Sequence, residues 1–291
     1  MVKLYCVGDN NVDIYQSMGK VFPGGCCLNM AIYARMLGHE AAFVSAVGND
    51  RLGQLQLDTL RLYGVNINGV HIIDGHTAWC KILHQGNDRI FSELNNGAKE
   101  LCPVSEEDVR KGQDGSYDLL YTCLEAFYEE GALYCFGNSP IPSFCDLSTF
   151  WERESLKEYC KIFDYVALSG QNKKEPEMRL ILQECIYHGA QMAIGTLGLD
   201  GSLVQTEKAC YKTEACRVEA VDTLGAGDSW LSAFITSYLD GKKQAQEDSG
   251  EESLIQNSMS LASSFAASTC MHYGGVGHGI DFEETMIQER P

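Results

Sequence analysis

The sequence predicts an α/β fold: a doubly wound, mostly parallel sheet flanked by helices, with a small β lid. Three observations carry this. Short apolar runs alternate with helical segments along most of the 291 residues. Residues 77–94 break that rhythm with two strand-like runs around Gln85-Gly86-Asn87-Asp88, a hairpin signal. A string of small residues ending in a carboxylate, Asp222-Thr223-Leu224-Gly225-Ala226-Gly227-Asp228-Ser229, opens onto an apolar run at 230–239 that reads as a helix.

The elements follow in order. Residues 4–7 form a strand that emerges at Gly8-Asp9-Asn10-Asn11. Residues 28–37 form an amphipathic helix closed by Gly38, 42–47 a strand, and 51–63 a helix stopped by Gly64. Residues 117–122, 143–147, 164–168 and 191–196 are further strands, with helices at 151–160 and 177–188 between the last of them. Residues 253–271 form a helix rich in small side chains, and the tail after Gly274, Gly-rich and then acidic, is expected to fray. Residues 11–21 and 77–94 together make the lid, a cover that would keep water from a reacting group. A surface hairpin or the edge of a homodimer fits the same pattern. No repeat, low-complexity tract or linker divides the chain, so 1–291 reads as one domain.

Composition narrows the function. Apolar residues at 45% and charged residues at 21% describe an ordinary soluble globular protein. No apolar run has the length to span a bilayer, and the first residues lack a signal-peptide layout. The 13 cysteines are scattered, odd in number and without a C-x-x-C pair, which speaks against a disulfide framework or zinc site and for small buried residues in a reducing cytoplasm. Cys26-Cys27 lie beside a suspected substrate loop and are open to oxidation. The net charge of −18 argues against nucleic acid or an anionic membrane as partner. It does not forbid ATP, since phosphate is bound by local amides, a few cations and Mg²⁺. An acidic surface mildly favours a cationic substrate, though solubility explains the charge more simply.

The string at 222–229 carries the chemistry. Small residues at a helix start let backbone N–H groups turn toward an anion, and the helix dipole adds to the attraction. Asp228 then lies in the first turn, beside that anion. An anion cradle next to a base is what phosphoryl transfer to a hydroxyl requires. A helix cap would also place an Asp there. After the first strand, Asp9, Asn10, Asn11 and Asp13 cluster as hydroxyl-binding groups or as an Asx-rich turn. Gly24-Gly25 precede Asn29 at a helix entry and allow close backbone approach to a ligand. Asn172-Lys173-Lys174-Glu175 reads in isolation as a solvated helix start, and Thr196-Leu197-Gly198-Leu199-Asp200-Gly201 as a tight β-turn.

Taken together, these strings resemble the ribokinase-like (PfkB) carbohydrate kinase family, whose signature near the C-terminal third reads D-T-x-G-A-G-D. The GG-x-x-x-N, N-x-x-E and T-x-G-x-x-G patterns follow in family order, and the resemblance covers essentially the whole chain. It implies a ribokinase-like fold and an ATP-dependent kinase. Asp228 would be the catalytic base, and the Gly225, Ala226 and Gly227 amides the anion hole. Asp13, Gly24, Gly25 and Asn29 would line the sugar pocket. Asn172, Thr196, Gly198 and Gly201 would meet the nucleotide. Glu175 would organise Mg²⁺ through water, and Asp222 matches a position that contributes to a monovalent cation site such as K⁺. The lysines between Asn172 and Glu175 depart from the acidic residues often found there. They would touch phosphate or face solvent.

At a finer level G-D-N-x-V-D-x-Y and the D-R-[IV]-F segment at Asp88 look most like the fructoselysine 6-kinase group, which phosphorylates sugars condensed to a lysine amine. Arg89 would close on substrate or phosphate, and Asp9 or Glu93 would meet the free amine. The alternatives within the fold are a ribose, fructose, 2-keto-3-deoxygluconate or nucleoside kinase, or a non-catalytic sugar-binding regulator. A dinucleotide-binding dehydrogenase would need G-x-G-x-x-G after the first strand, and a Walker-A NTPase G-x-x-x-x-G-K-[ST]; neither is present.

Overall fold

The computed structural model describes residues 1–291 except 86–87, 171, 245–249 and 289–291; the side chains of 84, 85 and 88–90 are also outside the described residues. From the N-terminus run β1 (Lys3–Val7), β2 (Asn11–Tyr15), β3 (Lys20–Gly24), α1 (Cys26–Met36), β4 (Glu40–Val44), β5 (Ala46–Gly48) and α2 (Arg51–Leu62). Next come β6 (His71–Ile73), β7 (Trp79–Gln85), β8 (Asp88–Asn95), α3 (Gly97–Leu101), α4 (Glu106–Lys111), β9 (Leu119–Cys123) and β10 (Ser143–Asp146). The C-terminal half holds α5 (Leu156–Ile162), β11 (Tyr165–Ser169), α6 (Glu175–Tyr187), β12 (Met192–Thr196), β13 (Ser202–Thr206) and β14 (Cys210–Thr213). It ends with α7 (Ala226–Gln244), α8 (Glu251–Thr269), β15 (Ile280–Asp281) and α9 (Thr285–Gln288).

The main sheet has the order β14-β13-β12-β11-β10-β9-β1-β4. Pairing is parallel from β4 to β12 and antiparallel only at β13 and β14. Alternation along each strand feeds two cores. Leu4 and Cys6 face one core with α1, α7 and α8, while Tyr5 and Val7 face the other with α6. Both faces are covered, so β9 is buried along its whole length, Thr122 included. From β1 the chain reaches β4 on one side, while β9 lies on the other. The order therefore reverses at β1/β9, and a crevice opens beyond their carboxyl ends.

A second sheet, β15-β3-β2-β7-β8, collects the two segments expected to form a cover. β2 pairs antiparallel with β3 and parallel with β7, and β7 pairs antiparallel with β8, Gln85 facing Asp88.

Three expectations need correction. The predicted strand at 42–47 is two strands. Ser45 interrupts it, and β5 leaves the main sheet to pair with β6. The helix predicted from 151 begins at Leu156, because the Trp151 indole N–H donates to Ser169 O at 3.1 Å and holds that stretch as a loop. The tail from Gly274 to Gln288, its described part, does not fray. β15 pairs with β3, Phe282 N–H donates to Gly19 O at 2.9 Å, and Met286 is buried against Val12, Ile14 and Trp79. Acidic neighbours hid the apolar spacing of Ile280, Phe282 and Met286, which needs the lid sheet as its partner.

Candidate active site

The crevice beyond β1 and β9 gathers groups from four loops. Asp9 follows β1 and is almost fully buried. One carboxylate oxygen accepts from Cys26 N–H at 3.0 Å at the start of α1, and the other pairs with the Lys99 ammonium at 2.6 Å. Burial works against the Lys99 cation, yet Asp9 holds its pKa above the ordinary value. Asp9 is thus a helix-anchoring carboxylate with its own counter-ion.

Gly24 and Gly25 have separate reasons. A Cβ on Gly24 would lie 2.2 Å from Asp13 Oδ2, so the missing side chain lets Asp13 lie against the backbone. Gly25 adopts φ 101°, where a side chain would also meet Asn10 Cα at 2.5 Å. Asp13 is 5% exposed and accepts from Asn11 Nδ2 at 3.2 Å.

Asn29 sits one turn into α1 and is 3% exposed. Its amide donates to Asp228 Oδ2 at 2.7 Å, and its own Oδ1 is buried with no partner among the described residues. Such an orphan acceptor, beside a carboxylate, is where a ligand hydroxyl fits. Asp228 lies in the first turn of α7. Burial pushes its carboxyl up to about 6, against the Asn29 amide, which favours the charged form.

The loop into α7 turns on Gly225, at φ 75°, where a Cβ would meet Tyr33 Oη at 2.6 Å. Ala226 N–H donates to Thr223 O at 3.3 Å, so one of the three expected amides is partly engaged. Among the described residues the Gly225 and Gly227 N–H groups have no backbone acceptor outside the helix. A Cβ on Gly227 would project into open space. Those two amides fit an incoming phosphoryl group.

Asp222 is buried and committed: it accepts from Leu224 N–H and Gly274 N–H, each at 3.0 Å, and from Tyr15 Oη. It ties the lid to the loop before α7. A monovalent cation would have to share that carboxylate.

The two loops expected to meet the nucleotide, at Asn172 and Thr196, follow β11 and β12, neighbours in the same sheet. Gly170 N–H donates to Thr196 O at 2.8 Å, joining the Asn172 loop to the Thr196 loop. Asn172 takes φ 67° and Gly198 φ 58°, and a Cβ on Gly198 would meet nothing within 4 Å. Gly201 packs its bare Cα against Thr213 O, where a Cβ would lie at 2.0 Å. Glu175 opens α6 and pairs with Lys212 and Arg179, each at 2.9 Å, which hold its carboxyl below the usual range. Both Glu175 oxygens are thus taken by cations, so a water-mediated Mg²⁺ would have to share that carboxylate with Lys212 and Arg179. Lys173 pairs with Glu177 at 2.9 Å and stacks over Trp151.

Two of the sequence-assigned residues fit their suggested roles poorly. Asp9 and Glu93 were the candidates for a substrate amine, but Asp9 holds Lys99 and Glu93 holds Lys81 at 2.8 Å. The Arg89 backbone pairs with His84 in the lid hairpin, and its side chain lies outside the described residues.

Sequence reasoning missed four members. Glu125 follows β9; burial raises its carboxyl pKa, as do the charges of Asp9, Cys123, Asp146 and Asp228. Asp146 ends β10; burial and then Asp228 push it up to about 8. Lys99 and Cys123 complete the group. Asp146, Cys123 and Glu125 were signalled only by their positions at or just past strand ends, and Lys99, within α3, by nothing local.

A profile of the pfkB family carbohydrate kinases matches residues 1–275. The chain belongs to that family. It is an enzyme of the carbohydrate kinase class with an α/β fold shared by ribokinase-family structures. It is 31% identical over 285 residues to the fructosamine kinase FrlD of Bacillus subtilis, covering 97% of this chain and 95% of that one. Fructoselysine 6-kinase of Escherichia coli is 29% identical over 241 residues, covering 83% of this chain and 91% of the other. Among solved structures, ribokinase from Giardia lamblia superposes with TM-score 0.78 at 16% identity, covering 95% of each chain. Fructokinase from Vibrio cholerae, bound to fructose, ADP and potassium, gives 0.75 at 18% identity over 100% of this chain and 99% of that one. No helix among the described residues is long and apolar enough to cross a membrane.

Proposed function

We propose that this kinase moves the γ-phosphoryl group of ATP to a primary hydroxyl of a sugar joined to an amine, with fructoselysine the leading acceptor and fructoselysine 6-phosphate the product. The observation that carries the chemistry is the Asn29–Asp228 contact at 2.7 Å, set beside the Gly225 and Gly227 amides, which have no backbone acceptor outside the helix among the described residues. Asn29 orients the base and offers its Oδ1 to the acceptor. Asp228 takes the hydroxyl proton as the oxygen bonds to phosphorus and the bridging P–O bond to ADP breaks. A base titrating at about 6 is charged at neutral pH yet basic enough to accept that proton. The two glycine amides meet the charge on the phosphoryl oxygens. Mg²⁺, when bound with ATP, would neutralise phosphate charge, and Glu175 with Asn172 are the groups to hold it.

The amine preference is supported by the similarity to a fructosamine kinase. Asp9, Glu125, Asp146 and Asp228 gather at one end of the crevice, but Lys99 neutralises Asp9, and burial holds Glu125 and Asp146 toward the uncharged form, so charge alone does not select a cation there. The second sheet serves as the cover over the acceptor.

Coupled ADP release with fructoselysine, ribose, fructose, 2-keto-3-deoxygluconate and nucleosides tests the reading. The highest kcat/KM is expected for fructoselysine. A higher value for any neutral sugar or nucleoside would move the assignment to that acceptor.

A further inference from the structure

We propose that Cys26 and Cys123 are a peroxide-sensitive thiol pair whose reversible disulfide closes the acceptor pocket. The sulfurs of Cys26 and Cys123 and a carboxylate oxygen of Asp9 lie within 4.8 Å of one another. The Cys26 sulfur also lies within 4.8 Å of the Asp146 and Asp228 carboxylates. All 13 cysteines are free thiols; Cys26 is half-buried, whereas Cys27 and Cys123 are buried. Cys27 is fully buried, its sulfur lying 3.9 Å from Cys123 Sγ and 3.2 Å from Val7 O. Cys26 is therefore the thiol that a small oxidant in the crevice meets first.

Charge supports the pairing. Burial opposes a Cys123 thiolate, but S–H donation from Cys26 and Cys27 outweighs it and holds that thiol below its ordinary value. The Cys26 thiol is itself held well above its ordinary value by its contact with Cys123 and by burial, so its proton leaves only as the new bond forms: the nearby Asp228 carboxylate takes it while the Cys26 sulfur attacks hydrogen peroxide, giving a sulfenic acid and hydroxide. The hydroxide takes the Cys123 proton, and the Cys123 thiolate attacks the Cys26 sulfur and expels a second hydroxide, which recovers the proton from Asp228. Two thiols lose two hydrogens, and the peroxide leaves as two waters.

The consequence follows from where Cys26 sits. Its N–H is anchored by Asp9, and Asn29 in the same turn holds Asp228. Closing the sulfurs to about 2.0 Å draws that turn inward and disturbs the Asn29–Asp228 contact. The loss of activity rests on the kinase reading; the bond does not.

The test treats the purified protein with hydrogen peroxide and reads mass, cross-linked peptides and ADP release separately. The expected result is a loss of two hydrogens, a peptide joining Cys26 to Cys123, and activity lowered roughly tenfold to a hundredfold, the cost of displacing a positioning group. Dithiothreitol restores both mass and activity. Cys123→Ser and Cys26→Ser should each lose the cross-link and the thiol-reversible part of the inhibition, judged as treated over untreated activity. If either serine variant is misfolded, peptide mapping of the wild-type chain alone still decides. A Cys27–Cys123 bond, over-oxidised Cys26 without a cross-link, or a full Cys26–Cys123 bond with unchanged turnover of an acceptor that the untreated enzyme phosphorylates would each overturn the proposal. If no acceptor is phosphorylated by the untreated enzyme, the kinase reading falls while the mass and peptide result still judges the bond.

Discussion

The acceptor end of the crevice and its nucleotide edge are built differently. At the acceptor end Asp9, Asp13 and Asn29 are nearly inaccessible, and each is fixed by backbone or side-chain contacts. At the nucleotide edge Glu175, Lys212 and Arg179 are about one-third exposed, and their charges are satisfied by one another. The first arrangement is rigid before any ligand arrives, with its geometry held by burial. The second consists of surface ion pairs, which hold little energy and exchange partners readily. On the proposed mechanism, precision lies where the proton would move, and adaptability where a charged, flexible triphosphate would dock.

The sharpest way to break this contrast is Asp228→Asn. Steady-state kinetics should show kcat lower by roughly 10²–10⁴ with nucleotide affinity nearly unchanged. Near-normal turnover would remove Asp228 from its role as base. Next comes Lys99→Met, which leaves Asp9 buried without its cation. Urea unfolding should show a loss of about 3–5 kcal/mol. A loss below about 1 kcal/mol would mean that the acceptor end is as solvated as the surface pairs.

Glu175→Gln tests the other side. The fold should be intact while the apparent affinity for divalent metal in the assay falls about 10–100-fold, as for lost outer contacts to a metal. An equal loss of stability would show that the nucleotide edge is structural after all. The pH profile gives a smaller effect. Asp228 must be charged to act, and burial raises its pKa, so kcat/KM should fall as pH drops through about 6. A profile flat down to about pH 4, the ordinary carboxylate range, would contradict the buried base. Smallest is Asn29→Ala. Removing the amide that favours the carboxylate should move the acid limb of kcat upward by about one unit. A downward move would mean that the amide does not stabilise the charge.

Much of the fold was legible locally. The strands at 4–7 and 191–196 and the helices at 51–63 and 177–188 announce themselves by apolar period and glycine stops, and they stand within a few residues of their expected places. The C-terminal tail was misread because its apolar residues make sense only against β3, more than 250 residues earlier in the chain. In the site, Asp228, Asn29 and the glycine strings were visible because the backbone geometry they need limits the residue types allowed. Lys99, Glu125, Asp146 and Cys123 belong to no such string. They are single residues at strand ends, in a loop after β9 and, for Lys99, in the short helix α3, brought together by the tertiary fold.

The sequence by itself determined the strand and helix rhythm, the glycine turns and the carboxylate at the start of α7, because these depend on neighbours a few positions apart. Only the tertiary structure decided which carboxylates carry their own cations, which thiols touch, and which amides stay open. Those properties depend on distances between segments far apart in the chain and on burial, which no local window contains.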